Sequence, residues 1–308
     1  MSPERIRPSA ARPVGAAGSA HAAGSASAAS AEWRFPNRAT PPGSSAYYSV
    51  RLAAAPRRDA LAALFAWRAE LRAILDQVSD PGVARIKLDW WRSELERIFA
   101  GTPRHPLSEV LAPVVAAHRL PEAPFIAIIA GVETALQNPR QPDLGTQRDA
   151  DEQDRGALFE LLAHCEGVVD RHPLTQARRV GGWCAQVRRL RDAGLLLRQG
   201  RAVLPADQLA AAGLSQEALA SPEGRQRLPE LLRALAEQLR SQLPNRPANE
   251  PTTGSPVQPS ELTRAVRIQL RLHQDLLAVL ERSGFDVADQ RIGLTPLRKL
   301  WLAWRASR

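Results

Sequence analysis

From residue 57 onward, apolar residues recur at helical spacing, and no run alternates at the two-residue period of a strand. Leu61, Leu64, Phe65, Leu71, Ile74 and Leu75 form one stripe, and Val83, Ile86, Trp90, Leu95, Ile98 and Phe99 form a second. Further stripes run through Leu107, Val110, Leu111 and Val114; through Phe125, Ile128, Ile129, Val132 and Leu136; and through Leu158, Leu161, Leu162 and Val169. The pattern predicts a helix over 175–198 (Val180, Trp183, Val187, Leu190), another through Leu228, Leu231, Leu232, Leu235 and Leu239, and another over 261–282. A short closing helix carries Leu297, Leu300, Trp301 and Trp304. Breakers separate these stripes at Pro81-Gly82, Gly101 to Pro106, Pro139 to Gly145, His172-Pro173 and Gly284. The expectation is an all-α, single-domain helical bundle.

The pattern is missing in two places. Residues 1 to 31 are mostly Ala, Ser, Gly and Pro, with no large apolar residue after Ile6. Such a stretch cannot bury enough surface to offset its ordering entropy. A disordered tail is therefore drawn over 1–43 and a helical domain over 44–308. The tail has no apolar core of a secretory signal; its acid-poor, Arg- and Ser-containing composition leaves organellar import open. Residues 244–259 carry five prolines and read as an exposed loop within the domain.

Composition narrows the functional classes. The chain has 308 residues, 44% of them hydrophobic, enough for a sizeable core. No apolar run is long enough to span a bilayer. Cys165 and Cys184 are the only cysteines, which excludes a disulfide scaffold or a cysteine-rich metal site. Of the 41 basic residues all but Lys87 and Lys299 are arginine, and the net charge is +9. That favours anionic partners, but the charge is spread over many helices and only two tyrosines could stack on bases, so no nucleic acid is expected.

Common catalytic signatures (the P-loop, GxGxxG, GxSxG and HExxH) are absent. His105, in a His-Pro-Leu turn, and His118 read as structural. Asp149, Asp151, Glu152 and Asp154 have a metal-like spacing but lack the glycine and closing glutamate of a calcium loop. They are read as acids at a helix start, favoured there by the helix dipole.

The informative stretch is 177–208, with Leu190-Arg191-Asp192, Gly194, Arg198, Gly200-Arg201, Leu204-Pro205 and Ala206-Asp207 in order. It resembles the squalene/phytoene synthase family, whose corresponding helix reads Gln-x-x-Asn-x-x-Arg-Asp-x-x-x-Asp before Gly-Arg-x-Tyr-Leu-Pro. Pro56-Arg57-Arg58, the Leu61 to Ala66 run, Leu88 to Leu95, His105-Pro106-Leu107, Gly131 and Leu161 to Cys165 extend the resemblance in register over roughly 45–243. It implies an isoprenoid-synthase-type bundle around a central cavity, where aspartates on two facing helices hold magnesium against substrate diphosphates.

Carried over residue by residue, those aspartate motifs are incomplete. The leading aspartate of the first motif falls on Arg72, beside Ala73, and its last survives as Asp76. The second motif keeps Asp192, but Leu195 and Leu196 stand where its Glu and Asp would be. The preceding Asn and Gln fall on Arg188 and Ala185, and a further aspartate on Ala135. The chain thus resembles degenerate members such as the mitochondrial complex I assembly factor, which also shares the Trp67 to Leu71 pattern, the Leu204 to Asp207 turn and the Leu294 to Leu297 ending.

The resemblance implies a non-catalytic assembly or binding factor with a vestigial isoprenoid pocket, with a membrane-complex client protein as partner. The alternative is an atypical prenyltransferase using Mg2+ and farnesyl or geranylgeranyl diphosphate. Asp76 and Asp192 are vestigial metal positions; no catalytic residue is assigned and no cofactor is expected under the first reading. Arg58, Arg72, Arg188, Arg191, Arg198 and Arg201 are candidates for gripping a prenyl diphosphate or phospholipid headgroup without metal. The competing reading leaves them solvated or paired with Asp76 and Asp192. Localisation is expected to be cytoplasmic, with peripheral contact at the inner membrane left open. At the C-terminus an interfacial helix competes with core docking of Trp301 and Trp304 and exposed arginines, and core docking is the packing expectation.

Overall fold

A computed structural model describes residues 31–78, 80–137, 140–242 and 259–308. Among them there is no strand. The helices are α1 (Ser45–Arg51), α2 (Arg58–Gln77), α3 (Pro81–Phe99), α4 (Pro106–His118), α5 (Ala123–Gln137) and α6 (Leu144–Asp151). A one-turn π segment, Glu152–Gly156, joins α6 to α7 (Ala157–Cys165). Then come α8 (Arg171–Arg198), α9 (Ala206–Ala211), α10 (Gln216–Ala220), α11 (Pro222–Ser241), α12 (Arg264–Arg282) and α13 (Pro296–Ser307). The all-α expectation holds. The proline-rich 244–258 stretch and residues 1–30 lie outside the described residues.

Most breakers act as helix starts. Asp80, Asp143, Ser221 and Thr295 each accept a backbone N–H in the first turn that follows, and Pro81, Pro222 and Pro296 sit where a missing N–H has no intrahelical partner to lose. Two helices are central. In α2 every residue from Ala60 to Trp67 is buried, so the helix is enclosed all round by α1, α3, α4, α5 and α7. Trp67 meets Phe125 and Trp91 edge-on at 4.9 and 6.4 Å. The 28-residue α8 contacts α6, the π segment, α7, α10, α11 and α12.

Several expectations are corrected by packing. Residues 31–43 are not tail: Trp33 is buried against His105, with Arg38 stacked over its ring, and the Asn37 amide donates to the Trp33 and Ala62 carbonyls at 2.9 and 3.0 Å. On α3 the buried face is Ala84, Leu88, Trp91, Leu95 and Ile98, whereas Val83, Ile86 and Trp90 are exposed. Val169 lies beyond the end of α7 and is exposed. On α13 the docked residues are Leu302 and Ala303; Trp301 and Trp304 face outward, against the expectation of core docking.

The π segment lies unusually close to α8. A Cβ added at Gly181 would stand 2.6 Å from the Arg155 carbonyl oxygen, and one at Gly156 2.6 Å from that of Arg178. Two glycines thus allow backbone to meet backbone, which carries the polar residues of the π segment into the interior.

Candidate functional site

Arg68, Arg72 and Asp76 repeat every four residues along α2 and share a face. Arg68 grips Asp154 of the π segment with both arms, Nε at 2.7 Å and Nη2 at 2.6 Å. Arg72 reaches the same carboxylate at 3.5 Å. Burial alone would raise the Asp154 carboxyl, but Arg68 and Arg72 outweigh it and hold the group below its ordinary value. One turn earlier, Asp151 accepts from Arg189 Nη2 of α8 at 2.6 Å; there burial prevails and its carboxyl is raised.

This overturns the reading of the 149–154 acids as a helix start. The helix begins at Leu144, capped by Asp143, so Asp151 and Asp154 lie in its middle. The π turn there shifts the side-chain register, and both acids are buried as counter-ions for arginine, while Asp149 stays exposed.

On α8, Asp192 is held by Arg191 (2.9 and 2.5 Å) and by Arg291 (2.9 Å). Burial works against its ionisation, yet the hydrogen bond and charge of Arg191, with Arg291, hold it below its ordinary value. Arg188, one turn before, makes no ion pair among the described residues. Burial, and then the charges of Arg155 and Arg191, depress its guanidinium well below the ordinary value. Arg155 is buried, its Nε lacks a partner, and its guanidinium lies over the Phe159 ring at 5.3 Å. Burial and the nearby Arg68 lower it to about 10. His273 of α12 completes the wall, its Nδ1 2.7 Å from the Gln269 carbonyl oxygen. Burial, then Arg155 and Arg188, push its pKa well down, so it is neutral.

The layer therefore sets six guanidiniums (Arg68, Arg72, Arg155, Arg188, Arg189 and Arg191) against three carboxylates, Asp151, Asp154 and Asp192. The excess charge rests on Arg155, on Arg188 and on the Arg68 and Arg72 pair, which shares one carboxylate. Guanidiniums with free donors in a partly desolvated space are suited to phosphate oxygens.

Of the residues singled out from the sequence, Arg72, Arg188, Arg191 and Asp192 fall in this layer. Asp76 is at its exposed edge, paired with Arg201 at 2.6 Å. Arg198 lies on the surface, bonded to the Ala288 carbonyl. Arg58 is apart: it donates to the Ala53 carbonyl at 3.2 Å, and 14 residues of helix, about 21 Å, separate it from Arg72. Arg68, Arg155, Arg189 and His273 were not anticipated, and Asp151 and Asp154 were expected only as helix-start acids. The four-residue Arg68, Arg72, Asp76 spacing was the available signal.

Magnesium needs several oxygen ligands in near-octahedral order. Among the described residues no three His, Cys, Asp or Glu side chains converge to hold a metal ion, and the carboxylates of the layer are each already engaged by arginine. The donor set does not fit that ion. A separate groove of about 670 Å³ between the ends of α3 and α4, lined by Phe99, Pro113, Val115 and Leu120 among others, is remote in sequence from these residues.

Comparison with known proteins agrees with the all-α architecture. The family model described as squalene/phytoene synthase matches residues 39–298. A chloroplastic phytoene synthase of Narcissus pseudonarcissus is 28% identical over 182 residues, 56% of this chain and 42% of that enzyme. The chain thus spans less than half the length of that relative. The human NADH dehydrogenase (ubiquinone) complex I assembly factor 6 is 23% identical over 264 residues, 84% of this chain and 78% of that protein. A crystal structure of a dehydrosqualene synthase in complex with ligand superposes with a TM-score of 0.69 at 15% identity, covering 93% of this chain and 96% of that one.

Proposed function

The chain belongs to the squalene/phytoene synthase family, and we propose that it binds a phosphorylated lipid rather than condensing prenyl diphosphates, acting as an assembly or binding factor. The observation that carries this reading is the arginine layer between α2 and α8. Arg72 sits one turn before Asp76, and Arg188 one turn before Asp192, where the family resemblance calls for metal-binding or polar neutral residues. Arg155 and Arg188, without ion pairs among the described residues, supply donors to a phosphate, with Arg191 beside them. Arginine can neutralise such a group at rest. The residues present offer no oxygen-rich cradle in which a pyrophosphate would be drawn off as a leaving group.

The ligand class is a phosphate or diphosphate on an apolar tail, either a prenyl diphosphate or a phospholipid. The likeness to a human complex I assembly factor supports a membrane-complex protein as client. No helix among the described residues is long and apolar enough to cross a membrane, so the contact proposed with such a complex is peripheral.

A second reading, an atypical prenyltransferase, draws on the retained Asp76 and Asp192 and on the likeness to phytoene synthases. Pyrophosphate release from farnesyl and geranylgeranyl diphosphate with magnesium separates the two. The proposal expects none from the purified chain. Turnover that disappears in Asp192→Ala would establish the enzyme reading instead.

A further inference from the structure

Helix α13 leaves an apolar face uncovered. Leu297, Leu300, Trp301 and Trp304 stand at i, i+3, i+4 and i+7, a single stripe, and are 80, 45, 52 and 44% exposed. The helix is nevertheless firmly seated. Its other side buries Leu302 and Ala303 against α12 and α1. Arg298 pairs with Asp275 at 2.6 Å, the Tyr48 hydroxyl donates to the Pro296 carbonyl at 3.0 Å, and Lys299 Nζ donates to the Gly43 carbonyl at 2.8 Å. Arg267 Nε donates to the Ala306 carbonyl at 2.7 Å. The outward direction of the stripe is therefore set by the fold.

Charge identifies what the stripe meets. From Gln290 to Arg308 there is no acidic residue, while Arg291, Arg298, Lys299, Arg305 and Arg308 are basic. Arg305 and Arg308 make no ion pair among the described residues. Instead their guanidiniums lie over the rings of Trp301 and Trp304, at 5.6 and 3.6 Å. Tryptophan and leucine on one side with arginine at the rim is the arrangement of a helix lying in the plane of a bilayer surface. The rings occupy the headgroup level and the guanidiniums meet lipid phosphates. A second copy of this chain would fit poorly, because a two-fold contact on this face would bring together two basic segments that carry no acidic residue.

We propose that α13 is a membrane-docking element: its Leu297, Leu300, Trp301 and Trp304 stripe enters the interface of an anionic bilayer, with Arg305 and Arg308 on lipid phosphates. This inference does not depend on the arginine layer or on whether the protein is an enzyme.

Co-sedimentation of the full chain with vesicles tests it, using phosphatidylcholine alone and phosphatidylcholine with phosphatidylglycerol in equal parts. Binding is expected to the anionic vesicles, with little to the neutral ones, and to weaken as salt is added. The pair Trp301→Ser and Trp304→Ser reduces it by about tenfold, with helicity and thermal midpoint unchanged because both rings are exposed. Arg305→Gln and Arg308→Gln each reduce it by about fivefold, a second route should the tryptophan variant fold poorly. Equal binding to both vesicle types, or binding that survives both pairs of substitutions, would overturn the proposal. So would absence of vesicle binding together with a dimer that the tryptophan pair dissolves, which would assign the stripe to a second copy.

Discussion

In the layer between α2 and α8, arginine and aspartate are enclosed; along α13, leucine and tryptophan face outward. Both arrangements reverse the ordinary preference of these residue types, but they differ in what holds them. The buried charges hold one another, so each carboxylate is a structural part of the interior. The exposed stripe holds nothing, because Leu302 and Ala303 on the opposite face seat the helix. Substitution of a carboxylate should therefore cost stability in the first region, while substitution of the stripe should affect binding alone in the second.

The largest effect is expected at Asp154. Its loss strands Arg68 and Arg72 without their shared counter-ion, and Asp154→Ala should cost about 3–5 kcal/mol in denaturant unfolding. A loss under about 1 kcal/mol would mean that the layer is open to water and the contrast with α13 is false.

Arg188 sharpens the comparison from the other side, being half-buried without an ion pair among the described residues. Arg188→Met should leave stability unchanged or raise it by about 1 kcal/mol, since a partly desolvated, unpaired charge is replaced by an apolar side chain of similar length. Strong destabilisation in that variant would show that Arg188 is a structural member of the layer, not a ligand group. The smallest effect belongs to Asp76, whose side chain is 62% exposed in its pair with Arg201. Asp76→Ala should change the unfolding free energy by about 0.5 kcal/mol or less.

The existence of nearly every long helix was readable from apolar spacing, while the phase of some was not. On α3 both Val83–Ile86–Trp90 and Ala84–Leu88–Trp91 are apolar and helically spaced, and only the packing of α4 and α5 selects the second. The same degeneracy left two faces of α13 in competition, where Trp301 and Leu302 are neighbours in sequence but only Leu302 is buried. In the site, Arg72, Arg188, Arg191 and Asp192 were legible because each falls at a motif position of the family. Asp151 and Asp154 were misread because a π turn leaves no mark in the sequence, and acids near a helix start already had a sufficient explanation in the helix dipole.

The central claim is that arginine has taken over phosphate recognition in this fold. Calorimetric titration of the full chain with farnesyl diphosphate in the presence of a chelator tests it most directly. The account predicts saturable binding that added magnesium does not strengthen, weakened about ten- to hundredfold in Arg188→Met. Binding that appears only with magnesium, or that is unaffected in Arg188→Met, would contradict it.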